Sequence, residues 1–173
     1  MDKRAFARHP ASRGRRARII DRARDPVDIR AFRRREDGIT TSGRLTPADP
    51  PRLAAIGVRH VVNLALADHP EALADEGALM AAAGIAYTHI PVPFDAPKRE
   101  HVAALAAALA AHPGPHHVHC IMNWRVTAFF YLLDHAAGVP EAEARARMAT
   151  VWDPLSDETA PAVWRDLLLT AKA

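Results

Sequence analysis

His117-Val118-His119-Cys120-Ile121-Met122-Asn123-Trp124-Arg125-Val126-Thr127 reads as a short buried strand, a loop, and the opening turn of a helix. The only cysteine of the chain stands at the junction. A thiol there meets free backbone N–H groups and the positive end of a helix dipole, which favour its thiolate form and suit the loop to an anion. An arginine five positions on can close over that anion with a planar, permanently charged fork. A sulfur nucleophile, a ring of N–H donors and a guanidinium are the parts needed to hold and attack a tetrahedral oxyanion.

Working outward, strands and helices alternate. Ile29 to Glu36 is expected to form an edge strand, and Asp37-Gly38 to turn it into Ile39-Thr40-Thr41-Ser42. Thr46-Pro47 supplies an N-cap and a first-turn proline for a short helix that stops at Gly57. Residues 58–64 and 85–92 are β-branched, apolar core strands, with a helix over 70–83 between them. A helix over 98–112 precedes the cysteine strand, and helices over 126–137, 140–151 and 157–170 follow the loop. The alanines between Ala103 and Ala111 suggest close helix–sheet packing. This order implies an α/β fold, a mostly parallel central sheet flanked by helices on both faces. Ligands in such sheets bind at the carboxyl ends of strands, which is where Cys120 lies.

The run His119-Cys120…Arg125 resembles the signature of the protein tyrosine and dual-specificity phosphatases, with one difference in spacing. That superfamily places five residues between Cys and Arg, and this chain has four. The shorter loop is similar to a bacterial subgroup with the pattern His-Cys-x-x-Asn-x-Arg-Val-Ser/Thr-Ala-Phe, matched here by residues 119–129. The resemblance extends to Thr41-Ser42-Gly43 and to Gly57-Val58…Val62-Asn63-Leu64, and covers roughly residues 30–155. It implies a phosphoric monoester hydrolase acting through a cysteinyl-phosphate. Cys120 would be the nucleophile and Arg125 the transition-state clamp. The N–H groups of Ile121, Met122, Asn123, Trp124 and Arg125 would cradle the phosphate, and His119 would support the thiolate. Val126 stands where the superfamily usually has Ser or Thr, so Thr127 is the candidate to assist the leaving thiolate. Asn123 either replaces the usual loop glycine, since Asn tolerates left-handed backbone angles, or is an ordinary turn residue. Trp124 is a pocket wall or a packing anchor.

Expelling an alkoxide or phenoxide needs a general acid. The resemblance places an aspartate after a strand reading Ile-Pro-Val. Ile90-Pro91-Val92-Pro93-Phe94-Asp95 makes Asp95 the candidate, with an N-cap of the following helix as its structural alternative. Asp153, between Trp152 and Pro154, is the reserve. Arg44 can approach the substrate or simply close a turn, and the turn is the expectation. His116, His117 and His119 alternate along a strand and have no further ligand at zinc spacing except Cys120, so no metal is expected. No organic cofactor is implied either. His60, His89, His101, His112 and His135 read as surface or hydrogen-bonded positions.

Two rivals remain. A rhodanese-like sulfurtransferase can also carry Cys, four residues, Arg, but its usual loop glycine and Gly-Gly…Trp stretch are missing here. A catalytically silent phosphate-binding module would keep the loop without turnover.

Composition sets the remaining bounds. The 173 residues suffice for one domain with a real core, and no apolar run reaches the roughly 18–20 residues of a membrane span. A single cysteine excludes an internal disulfide and fits a reducing cytoplasm. Residues 1–36 hold thirteen Lys or Arg against five Asp or Glu, leaving ten against fifteen for the rest. The expectation is a basic, flexible arm over 1–27 and a phosphatase-like domain over 28–173. With no nucleic-acid motif in sight, the expected partner is a phosphorylated protein or small phosphate ester. Oligomeric state is not legible.

Overall fold

The computed structural model describes residues 22–170, so most of the expected basic arm lies outside the described residues. The five strands are β1 (Arg33–Arg34), β2 (Thr40–Ser42), β3 (His60–Asn63), β4 (Ala86–His89) and β5 (His116–His119). They form one sheet in the order β1-β2-β5-β3-β4. Only β1 runs antiparallel to its neighbour; β2, β5, β3 and β4 are parallel. The alternation of strand and helix produces the mostly parallel α/β sheet expected from it, and puts the cysteine strand in the middle.

Six α-helices cover the sheet: α1 (Asp49–Ala55), α2 (Glu76–Ala82), α3 (Arg99–Ala111), α4 (Trp124–Ala136), α5 (Glu141–Ala149) and α6 (Ala162–Leu169). Successive residues of β3 face opposite ways, as the pleat demands. Val61 joins a smaller core with Leu53 of α1 and Met80 of α2. Val62 joins the larger one with Val118 of β5, Leu105 of α3, Phe129 of α4, Met148 of α5 and Trp164 of α6. Helices therefore lie on both faces, four of them on the side of the larger core.

Several local expectations change, and the helix expected over 157–170 begins only at Ala162, after Pro161 at its N-cap. The edge strand shrinks to Arg33–Arg34, although the turn at Gly38 (φ 87°) forms as Asp37-Gly38 predicts. The helix over 70–83 starts only at Glu76, because Asp75 takes a left-handed conformation (φ 51°) and residues 65–75 are a loop whose Glu71 bonds to arginines elsewhere. The first helix begins at Asp49 rather than beside Thr46, since the Asp49 carboxylate reaches back to accept from the Thr46 N–H (2.7 Å) and hydroxyl (2.8 Å). In α3, Val102 and Leu105 make the buried contact while most of the alanines are exposed. Alanine serves there as a strong helix former rather than as a close-packing surface.

Candidate active site

Strand β5 is held on both sides by parallel neighbours and ends at His119. Cys120 follows directly, its N–H donating to the Ser42 carbonyl of β2 (3.3 Å), and its side chain is buried. The chain then turns through residues 121–123 into α4, where Asn123 adopts φ 67° at the N-cap. Its side-chain amide donates to the Ala31 carbonyl (2.9 Å) and to Thr41 Oγ1 (3.1 Å), tying the turn to the β1–β2 region. Gly43 lets the loop come this close: a Cβ there would stand 2.6 Å from the Ile121 carbonyl oxygen.

The backbone of this loop is unusual in what it leaves unpaired. Among the described residues, none of the N–H groups of residues 121–126 donates to a protein acceptor, and the first helical bond comes from Thr127 N–H to the Asn123 carbonyl (3.1 Å). Such a run of open donors on a loop leading into a helix is an anion cradle. Arg125 lies in the same turn and is 7% exposed. Its Nε is buried without a hydrogen-bond partner, and no described carboxylate lies within ion-pair distance. A buried guanidinium without a counter-ion is costly unless a ligand supplies the charge. The guanidinium carbon sits 5.4 Å from the Phe94 ring centroid, so one side of the site is aromatic.

That aromatic side extends outward. Trp124 stacks on Trp152 (centroids 5.0 Å, 18° between planes), and Phe94 packs among Trp124, Trp152 and Trp164. The Trp164 indole donates to the Phe94 carbonyl (2.8 Å), which anchors the loop that carries Asp95. Asp95 itself is exposed and makes no hydrogen bond or ion pair with a described residue; the N-cap of α3 is Lys98. Asp153 is occupied, accepting from Arg145 (2.9 Å), from Ser156 (3.0 Å) and from the Leu155 N–H (3.1 Å). Burial works against its charge, but these donors outweigh it and hold the carboxyl below its ordinary range. It is poorly suited to deliver a proton.

Behind the cysteine lies a buried group that the motif does not contain. Glu76, at the start of α2, faces His119 Nε2 at 2.6 Å and accepts from Asn63 Nδ2 (2.7 Å) and the Tyr87 hydroxyl (3.1 Å). Burial opposes its charge, yet His119, Tyr87 and Asn63 together keep its carboxyl below the usual value. His119 Nδ1 is 3.4 Å from the Cys120 carbonyl oxygen. The chain Glu76–His119–Cys120 thus fixes the imidazole beside the Cys120 peptide. Nothing in the spacing of Glu76 announces it; only the order of the sheet brings α2 under β5.

The Thr127 hydroxyl donates to the carbonyls of Asn123 (3.0 Å) and Trp124 (3.2 Å), and the residue lines a groove with Thr41 and Phe130. His117 is buried between Thr40 Oγ1 (2.9 Å) and Ser42 Oγ (3.0 Å). Among the described residues no group of three His, Cys, Asp or Glu has the geometry of a metal site.

Residues 31–154 match the family described as Beta-lactamase hydrolase-like protein, phosphatase-like domain. The chain belongs to that family. A candidate phosphatase of Shewanella putrefaciens CN-32 is 33% identical over 83% of this chain and 89% of its own, with a TM-score of 0.71. One from Neisseria meningitidis Z2491 is 19% identical over 77% of this chain and 92% of its own (TM-score 0.62). TpbA of P. aeruginosa, solved with phosphotyrosine, is 18% identical over 78% and 85% (TM-score 0.57). The last two share the fold. The comparison with curated proteins found no match. Membership of the phosphatase-like family makes the chain a phosphoric monoester hydrolase. No described helix is long and apolar enough to cross a membrane.

Proposed function

We propose that this member of the family is a cysteine-dependent phosphatase that hydrolyses phosphate monoesters, phosphotyrosine or related aryl esters among them, in the cytoplasm. One observation carries the reading: the only cysteine follows β5 directly, and the next six residues present open N–H groups and an arginine whose buried Nε has no hydrogen-bond partner.

The Cys120 thiolate attacks phosphorus, an S–P bond forms, and the ester P–O bond breaks. The departing oxygen takes a proton from Asp95, whose loop is anchored beside Arg125 by Phe94. Water then gives a proton to the Asp95 carboxylate and attacks phosphorus, the S–P bond breaks with its electrons returning to sulfur, and inorganic phosphate leaves. Through both steps the loop N–H groups and Arg125 bind the equatorial oxygens, where charge accumulates. The aromatic wall of Phe94 and Trp124 favours a flat leaving group, and the fold shared with TpbA, solved with phosphotyrosine, agrees with this. Phosphate binding without turnover is the second reading, supported by the engagement of the Thr127 hydroxyl with helix carbonyls.

Cys120→Ser separates the two. The expected outcome is loss of essentially all hydrolysis of 4-nitrophenyl phosphate with retained binding of phosphate or vanadate by calorimetry. Removing a nucleophile can cost about a million-fold in turnover, so a serine variant that keeps more than a few per cent would refute the covalent route.

A further inference from the structure

The rim of the loop carries charge that the cleavage of a simple monoester does not use. Arg44 sits directly under the loop, its N–H donating to the Ile121 carbonyl (2.9 Å). Arg30 Nη1 contacts Met122 Sδ at 3.2 Å. Ile121 and Met122 are two of the residues whose N–H groups face no protein acceptor. Arg30 is held in place by the same glycine that admits the loop, because a Cβ on Gly43 would also meet the Arg30 stem at 3.0 Å. Its main-chain carbonyl accepts from the Gly43 N–H (2.7 Å).

Both guanidiniums are balanced by one carboxylate. One Glu71 oxygen lies 3.1 Å from Arg44 Nε as an ion pair, and the other accepts from Arg30 Nη1 at 3.4 Å. The three side chains are 42%, 36% and 37% exposed for Arg44, Arg30 and Glu71, so this is a solvated, weakly held arrangement. The contrast within the molecule is direct: Arg34 has Asp25 almost wholly buried against it, and the neighbouring Arg52 has both Asp49 and Asp28. Glu71 belongs to the loop over 65–75, at the carboxyl end of β3 and therefore on the ligand side of the sheet.

We propose that Arg30 and Arg44 form a second phosphate subsite, with Glu71 as a displaceable placeholder, so that the preferred substrate is a small ester bearing a second phosphate group. This rests on the phosphatase reading above, in which the first phosphate occupies the Cys120–Arg125 loop. A guanidinium binds phosphate through two parallel N–H···O bonds, and a phosphate brings more charge and more acceptors than the carboxylate it replaces.

Orthophosphate, pyrophosphate and tripolyphosphate, titrated at equal ionic strength into the full-length Cys120→Ser chain, test this by calorimetry. At least one condensed phosphate should bind about tenfold more tightly than orthophosphate. Arg30→Ala combined with Arg44→Ala should bring that preference to within about twofold while orthophosphate affinity moves little. Glu71→Gln should raise the preference. Arg59→Ala removes the same charge at the amino end of β3, the end of the sheet opposite the loop, and should leave it in place. The single Arg44→Ala variant, expected to be intermediate, and a thermal melt of each variant guard against misfolding. No preference in the parent chain, or one that survives the double substitution, or one lost equally with Arg59→Ala, would overturn the subsite. Failure of orthophosphate itself to bind would instead sink the parent reading, and the subsite with it.

Discussion

Arg125 combines deep burial with the absence of any described counter-ion, and open N–H groups adjoin it, an arrangement suited to an anion. If the planar fork matters as well as the charge, Arg125→Lys should lose nearly as much kcat/KM for 4-nitrophenyl phosphate as Arg125→Ala. The expected loss is on the order of a hundredfold or more, as for other preorganised donors to a transition-state oxyanion; a lysine variant near wild type would place the guanidinium elsewhere. Asp95 is the contrasting case, an exposed carboxylate with no structural partner to lose. Asp95→Asn should therefore leave the melting temperature unchanged, slow phosphotyrosine or an alkyl phosphate strongly, and spare 4-nitrophenyl phosphate, whose leaving group needs no proton. Equal slowing of good and poor leaving groups would remove Asp95 from the chemistry.

At the scale of elements, the loop is shaped by what lies under it as much as by its own residues. Gly43, one residue past β2, makes room for the Ile121 carbonyl, and Asn123 bonds back to Ala31 and Thr41. Gly43→Ala would force a Cβ to within 2.6 Å of a backbone oxygen, an atom that cannot swing away as a side-chain tip can. The expected cost is about 1–3 kcal/mol of stability, as for overpacking elsewhere, together with a weakened affinity for phosphate or vanadate. Denaturant unfolding and vanadate inhibition measure the two; a variant with wild-type values in both would mean that the loop can shift without consequence.

Across the whole molecule, the histidines link stability to pH. His60 is fully buried at the start of β3, with His112 stacked on it (4.0 Å between centroids) and His116 Nδ1 3.2 Å from its own Nδ1. Burial first, then the neighbouring His112 and His116, lowers its pKa from 6.5 to about 4. Burial also drives His117 well below 6.5 and lowers His116. As pH falls through 6.5 the unfolded chain takes up protons that the folded chain refuses. Stability is therefore full above that value and declines on acidification, with the His60 contribution lost by about pH 4. Urea unfolding at pH 7 and pH 5 should differ by on the order of 2 kcal/mol, and His60→Phe should reduce the difference. A flat profile would mean that the buried imidazoles are solvated.

Local chemistry determined much of this protein without any tertiary information. The β-branched runs at 58–64 and 85–92, the turn at Asp37-Gly38 and the helix stops at glycine arise from backbone preferences and periodicity, which are properties of short segments. The cysteine at a strand end, the arginine five residues on and the left-handed Asn123 are also local, because a single turn brings them together. What only the tertiary structure decided are the groups joined across the sheet. Glu76 meets His119 because β3 and β5 are neighbours, Gly43 lies under Ile121 because β2 is the other neighbour, and Arg30 and Arg44 share Glu71 across two loops. No periodicity encodes such pairs. Thr127 belongs with the local features: once Asn123 caps α4, a threonine four residues later is in reach of that carbonyl and bonds to it.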